Sequence, residues 1–373
     1  MAEQFEFKTI ERLHPGEMIS EYLDAFEWSQ RELSRRTGIS TKTVSELCNG
    51  KANVNASTAL ALELVFERPA SFWLNLQRLY DEYLARVARR RQEEHWSEWA
   101  KNFPIGELKK FGWIKPEENL SNSEALLKFF GVSSPESWSE VWNAAGVAYR
   151  QTRRFETNQE SISAWVRAVE LSASSIHTQP FDEGALRGLL PGLRRLTNLR
   201  PENFIPQLEQ LCASAGVALV FAPGLSKTGI SGCTRWVSKS KVIVGLTLRY
   251  KSDDQVWFTF FHEIGHVLLH RSKRSFILDN AHENLTDEVV DPELRQIEDQ
   301  ANQFALDTLI PADSLAGFIR RGDFTENGIL QFAKQMEIAP GIVVGRLQDE
   351  KILEYYQGNR LKQMFQWVVP ETE

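Results

Sequence analysis

At 373 residues, the chain is too long for one ordinary domain, and its net charge of -7 (43 Lys and Arg against 50 Asp and Glu) excludes a uniformly basic nucleic-acid coat. With 42% hydrophobic and 25% charged residues, 11 Trp and 22 Phe, it has the balance and the apolar area of a protein with packed cores, not of a disordered tail. No apolar run approaches the roughly 20 residues of a membrane helix, the first residues lack a signal-peptide core, and Cys48, Cys212 and Cys233 lie too far apart for a disulfide framework or a zinc ribbon. A cytoplasmic protein with no membrane partner is expected.

Residues 1 to 91 read as short helices. Met18, Ile19, Tyr22, Leu23 and Phe26 share one helical face. A helix begins at Ser29, with Glu32 three residues on as a capping box, and stops at Gly38. A second starts near Thr41, turns Val44 and Leu47 inward, and ends at Asn49-Gly50. Helical pattern continues over 57 to 66 and 70 to 91, where a run of arginines marks a shift in composition.

Residues 92 to 200 form a helical, Trp-rich middle region without evident chemistry. From 201 the pattern changes. Residues 216–222 and 241–248 are β-branched apolar runs that read as strands, separated by a Gly/Ser/Thr loop over 224 to 234. Helices follow over 253 to 270 and 292 to 309. Strands followed by helices predict an α+β domain over 201 to 373 with a helical extension. Within that extension, 332 to 347 echo the spacing of 33 to 48, which suits either a second helical pair that grips a substrate or, more simply, core packing at helical period.

Helix, glycine turn and helix over 29 to 51 is the arrangement of a helix-turn-helix, whose second helix enters the major groove. Leu33, Ile39, Val44 and Leu47 would pack the pair together. Gln30, Ser40, Thr41, Lys42, Thr43, Ser45 and Lys51 are the candidate DNA contacts, short polar or basic groups suited to base edges and phosphates. Five basic against two acidic residues give 29 to 51 a local charge of +3, although 1 to 91 holds 13 of each sign. Any DNA affinity therefore rests on this one face.

From His14-Pro15-Gly16-Glu17 through SQRELSRRTGISTKTVSELCNGK to Phe72-Trp73-Leu74-Asn75-Leu76-Gln77, the text resembles the HigA-type antitoxin and transcriptional regulator family. The resemblance implies an all-α, five-helix module that commonly forms a homodimer and binds palindromic operator DNA.

The second constellation is VWFTFFHEIGHVLLH over 256 to 270. Apolar residues surround this helix, so its two histidines and glutamate are buried at a cost unless something satisfies them. His262 and His266, four apart, stack on one face as a tetrahedral zinc ion requires, and Glu263 is placed to serve as general base, the HExxH pattern of zinc peptidases. Ser272 stands where a metzincin carries its third histidine, and His270 is about 80° round the helix from His262, better suited to support than to ligation. A third ligand is sought on the helix IEDQANQFA from 297: Glu298, with Asp299 as the alternative and Asn302 orienting a ligand histidine.

HEIGHVLLH followed by EDQANQFALDTLIP resembles the ImmA/IrrE family of zinc metallopeptidases, over roughly 201 to 312. That resemblance implies a zincin-like domain in which His262, His266 and Glu298 hold Zn2+ and Glu263 is the catalytic base. It also implies a narrow protein substrate: a repressor, a toxin, or the chain itself. A non-proteolytic autorepressor using the zinc domain as a structural or sensory platform is the rival expectation.

Overall fold

The computed structural model describes residues 13–115, 120–143, 158–270, 277–279 and 292–368. The chain divides into two compact units, Met1–Trp96 and Ser97–Glu373, and the division falls inside one long helix.

The first unit is helical: α1 (Pro15–Ala25), α2 (Gln30–Thr37), α3 (Thr41–Cys48), α4 (Ala56–Phe66) and the start of α5 (Ala70–Ala100). Its ends follow from local chemistry. His14 Nδ1 accepts from Gly16 N at 2.9 Å while Glu17 reaches back to His14 N, a capping box that accounts for the His-Pro-Gly-Glu run. Gly16 also permits close helix packing, since a Cβ there would lie 1.9 Å from the Leu47 carbonyl of α3. Ser29 caps α2 by accepting from Glu32 N, but Glu32 turns its own carboxylate to Arg36 at 2.8 Å instead of closing the box. Gly38 ends α2 at φ 73°, where L-residues are strained. Ile19, Leu33, Val44, Leu47, Leu62 and Trp73 form the core.

The second unit begins with short helices, α6 (Ile105–Lys110), α7 (Asn122–Phe130) and α8 (Pro135–Trp138), then α9 (Gln159–Ser174), α10 (Glu183–Arg195) and α11 (Pro201–Ser214). A four-stranded sheet follows in the order β1-β3-β2-β4: β1 (Val217–Phe221), β2 (Gly232–Ser238), β3 (Lys241–Leu246) and β4 (Ile277–Asp279). β1 runs parallel to β3; β2 is antiparallel to both β3 and β4. The expected loop over 224 to 234 thus gives its last residues to a strand, because pairing with β3 overrides the weak local signal of Gly232-Cys233-Thr234.

α12 (Asp253–Leu269) crosses one sheet face and α13 (Pro292–Leu309) packs along it; α14 (Ala312–Arg321), α15 (Glu326–Met336) and α16 (Pro340–Asp349) complete that layer. Val217, Leu219, Val242 and Val244 face this core with Trp257, Phe260, Phe261 and Ile264. Ala218, Val220 and Ile243 face a second core built from α7, α9 and the Trp-rich helices, so the sheet is covered on both sides. The helices expected as a middle region therefore share a unit with the sheet. Ile338 and Val343 of the 332 to 347 echo are fully buried, so this helical pair is core.

Candidate metal centre and nucleic-acid interface

All of α12 from Val256 to Leu268 is buried, including His262, Glu263 and His266. The helix can carry polar groups at such depth because each meets a partner from another element. Gly265 lets α13 approach: a Cβ there would lie 3.2 Å from the Ala301 Cα and 3.1 Å from the Phe304 ring. This closeness brings Glu298 and Asn302 of α13 against the histidines of α12.

His262 Nε2 and His266 Nε2 are 2.8 Å apart, and Glu298 Oε2 lies 3.3 Å from the first and 3.6 Å from the second. His262 Nδ1 meets Asn302 Oδ1 at 2.8 Å. His266 Nδ1 meets His270 Nδ1 at 3.1 Å, and His270 Nε2 meets Gln300 Oε1 at 3.0 Å. An amide oxygen only accepts, so Asn302 calls the His262 proton to Nδ1, and Gln300 calls the His270 proton to Nε2. His270 Nδ1 is then an acceptor, which draws the His266 proton to Nδ1 as well. Both ligand-type Nε2 lone pairs consequently face each other and the Glu298 carboxylate.

Three acceptors converging in a buried space repel one another unless a cation lies among them, so the donor set itself fits a metal ion. Tetrahedral zinc with bonds of about 2.0–2.2 Å holds its ligand atoms about 3.3–3.6 Å apart, which the two His–Glu distances match and the His–His distance undershoots by about 0.5 Å. Burial and the neighbouring His262 bring the His266 pKa down to about 4, so the imidazole is neutral and able to ligate at ordinary pH. Among the described residues, His262, His266 and Glu298 are the group of three able to hold a metal ion; Asp299 is exposed and outside it.

Glu263 lies on the sheet side of α12. It is wholly buried, and Thr234 of β2 donates to its Oε2 at 2.5 Å. Arg235, on the opposite face of β2, pairs with Glu170 of α9. Cys233 is buried, and burial followed by the charge of Glu263 pushes its thiol well up, the behaviour of a packing residue. Tyr250 is partly exposed, and Arg249 is hydrogen-bonded to the Gly229 carbonyl. One turn before His262, Phe258 lies 6.1 Å from it between ring centres and lines a pocket with Leu306, Leu309 and Ile342. Sequence reasoning missed Gln300, Gly232 and Thr234. Gln300 falls two residues from Glu298 on a helix already singled out; the β2 pair had no signal, because its role depends on strand pairing.

On the first unit, Thr41, Lys42 and Lys51 are exposed, and Gln30, Thr43 and Ser45 half-buried. Ser40 caps α3 by accepting from Thr43 N at 3.1 Å, and its hydroxyl also meets that of Thr43. Thr41 donates to Ser34 at 3.2 Å, and Lys42 lies 3.9 Å from Glu46. The face is therefore preorganised by contacts within the helix pair, with Lys42 and Lys51 extending outward.

Residues 19–73 match the helix-turn-helix family, and residues 228–347 match the family described as IrrE N-terminal-like domain, a peptidase family. An HTH-type transcriptional regulator of Escherichia coli (strain K12), YddM, is 40% identical over 63 residues, 17% of this chain and 67% of that protein. The chain belongs to the helix-turn-helix regulators and carries an IrrE N-terminal-like domain. The structure of a HigA-family addiction module antidote protein from Coxiella burnetii is 34% identical and covers 22% of this chain and 91% of that one, at a TM-score of 0.21. The Pseudomonas aeruginosa antitoxin HigA, solved with the higBA promoter, has the same identity, coverage and score. Among the described residues, no helix is long and apolar enough to cross a membrane.

Proposed function

We propose that this chain is a DNA-binding, antitoxin-like regulator whose second unit is a zinc-dependent endopeptidase cutting one specific regulatory protein, a repressor, a toxin or the chain itself. The observation that carries the reading is the convergence of His262 Nε2, His266 Nε2 and Glu298 Oε2, with both histidine protons drawn to the far ring nitrogens. Zinc, when bound, supplies Lewis-acid polarisation of a carbonyl and brings the pKa of a water toward ~7. His262, His266 and Glu298 hold it; Asn302 orients His262; Glu263 takes the proton of the attacking water and passes it to the leaving amine. α3 reads operator DNA in the major groove through Gln30, Ser40, Thr41, Lys42, Thr43, Ser45 and Lys51, and a homodimer in the cytoplasm matches a two-fold operator. In functional terms the chain is a DNA-binding segment over 1 to 91, a helical middle region over 92 to 200 and a peptidase segment over 201 to 373.

Elemental mass spectrometry tests the metal. About one zinc per chain is expected in the wild type and in Glu263→Gln, and none in His262→Ala or Glu298→Ala. A wild type that stays empty after zinc is supplied overturns the enzyme reading. A second reading, a non-proteolytic autorepressor, is favoured by the complete burial of Glu263. Biological activity that survives Glu263→Gln decides for it.

A further inference from the structure

Glu263 lies on the sheet side of α12, against β2. Alternation along that strand puts Gly232 and Thr234 toward α12 and turns Cys233 and Arg235 to the other face. A Cβ on Gly232 would stand 2.4 Å from Glu263 Oε1 and 2.9 Å from its Cγ, so this glycine is the clearance that lets the carboxylate lie on the strand. Two residues on, the Thr234 hydroxyl donates to Oε2 at 2.5 Å and lies 3.3 Å from the Glu263 carbonyl. Thr234 is itself buried, and its β-branched side chain has little χ1 freedom, so the hydroxyl is a fixed point.

We infer that Thr234 is a positioning residue: its hydroxyl, above the floor left open by Gly232, sets the orientation of the Glu263 carboxylate. The inference rests on the reading of Glu263 as the base. A carboxylate that must receive a proton from one direction and release it in another needs one oxygen held while the other stays aimed. A backbone N–H could do this only where the strand ladder leaves one over. At 232 to 234 both edges of β2 are paired, to β3 and to β4, so a side chain supplies the donor. Valine in place of Thr234 would keep shape and lose only that bond. Serine would keep the bond and lose a methyl group.

Acetohydroxamate tests this on the full-length, zinc-loaded protein, because a hydroxamate binds zinc and donates a hydrogen bond to an adjacent base carboxylate. Calorimetric titration is expected to show Thr234→Val binding it about tenfold more weakly than wild type, the size of one hydrogen bond to a charged group. Thr234→Ser is expected to bind within about twofold of wild type, with zinc stoichiometry one per chain in both. In a double-mutant cycle, Thr234→Val is expected to add no loss to that of Glu263→Gln, since the two act through one contact. Thr234→Val binding as wild type, or Thr234→Ser failing as Thr234→Val does, overturns the inference. If Thr234→Val does not fold, Thr234→Ala is read by the same criteria. Failure of the parent reading is separate: Glu263→Gln would then hold zinc and bind acetohydroxamate as tightly as wild type.

Discussion

α3 and α12 both carry the polar residues of a proposed task, and they hold them in opposite ways. α3 is eight residues long, shows Thr41 and Lys42 to solvent, and satisfies Ser40 and Thr43 with each other. α12 buries His262, Glu263 and His266 and satisfies them with Asn302, His270 and Thr234 from beyond the motif. A surface reader keeps its polar groups ready for a partner at little cost to the fold. A buried site depends on every contact around it, so changes on α12 disturb stability and chemistry together.

The largest expected effect is on the α12 seam. Gly265→Leu forces a side chain into the space held by Ala301 and Phe304 and should destabilise the second unit by about 3 kcal/mol, read as a lower urea midpoint. Next is Asn302→Leu, which leaves the His262 Nδ1–H without its acceptor; chelator competition should show metal affinity lower by about 10- to 100-fold. An unchanged affinity would break the contrast at its centre.

A third test uses pH. Burial, and then the neighbouring Asp254, raise the Asp253 carboxyl to about 7. A folded-state pKa above the unfolded value means stability present in acid and lost as pH rises through about 7. Wild type should therefore lose melting temperature between pH 5 and pH 8 relative to Asp253→Asn. Parallel curves would show that this carboxyl does not couple to folding.

α3 should give the smaller numbers. Ser40→Ala removes an N-cap and should cost about 1 kcal/mol of first-unit stability. Lys42→Ala should change stability by less than about 0.5 kcal/mol, yet lower the salt dependence of operator binding by about one counterion. No change in any DNA affinity would favour a protein-docking role for this face.

Much of this contrast is legible in the sequence, for physical reasons. Gly38 and Asn49-Gly50 punctuate the helix pair because stops are local chemistry. The i, i+4 spacing of His262 and His266 fixes their shared face before any fold is known. The α5 helix, in contrast, runs to Ala100, past the arginines at 89 to 91 where composition changes, because a charge cluster does not stop a helix without a Gly, Pro or cap. The seat of Glu263 was hidden too, since Gly232 and Thr234 gain meaning only through pairing with β3 and β4.

The three thiols have a practical consequence. Cys212 and Cys233 are fully buried, and burial pushes the Cys212 thiol up to about 12, while Cys48 is half-buried in the first unit. A thiol-specific label on the folded chain should therefore reach Cys48 first and wait for the sheet to open before reaching the other two. Each unit thus contains its own clock for local opening, readable by mass spectrometry on the unaltered sequence.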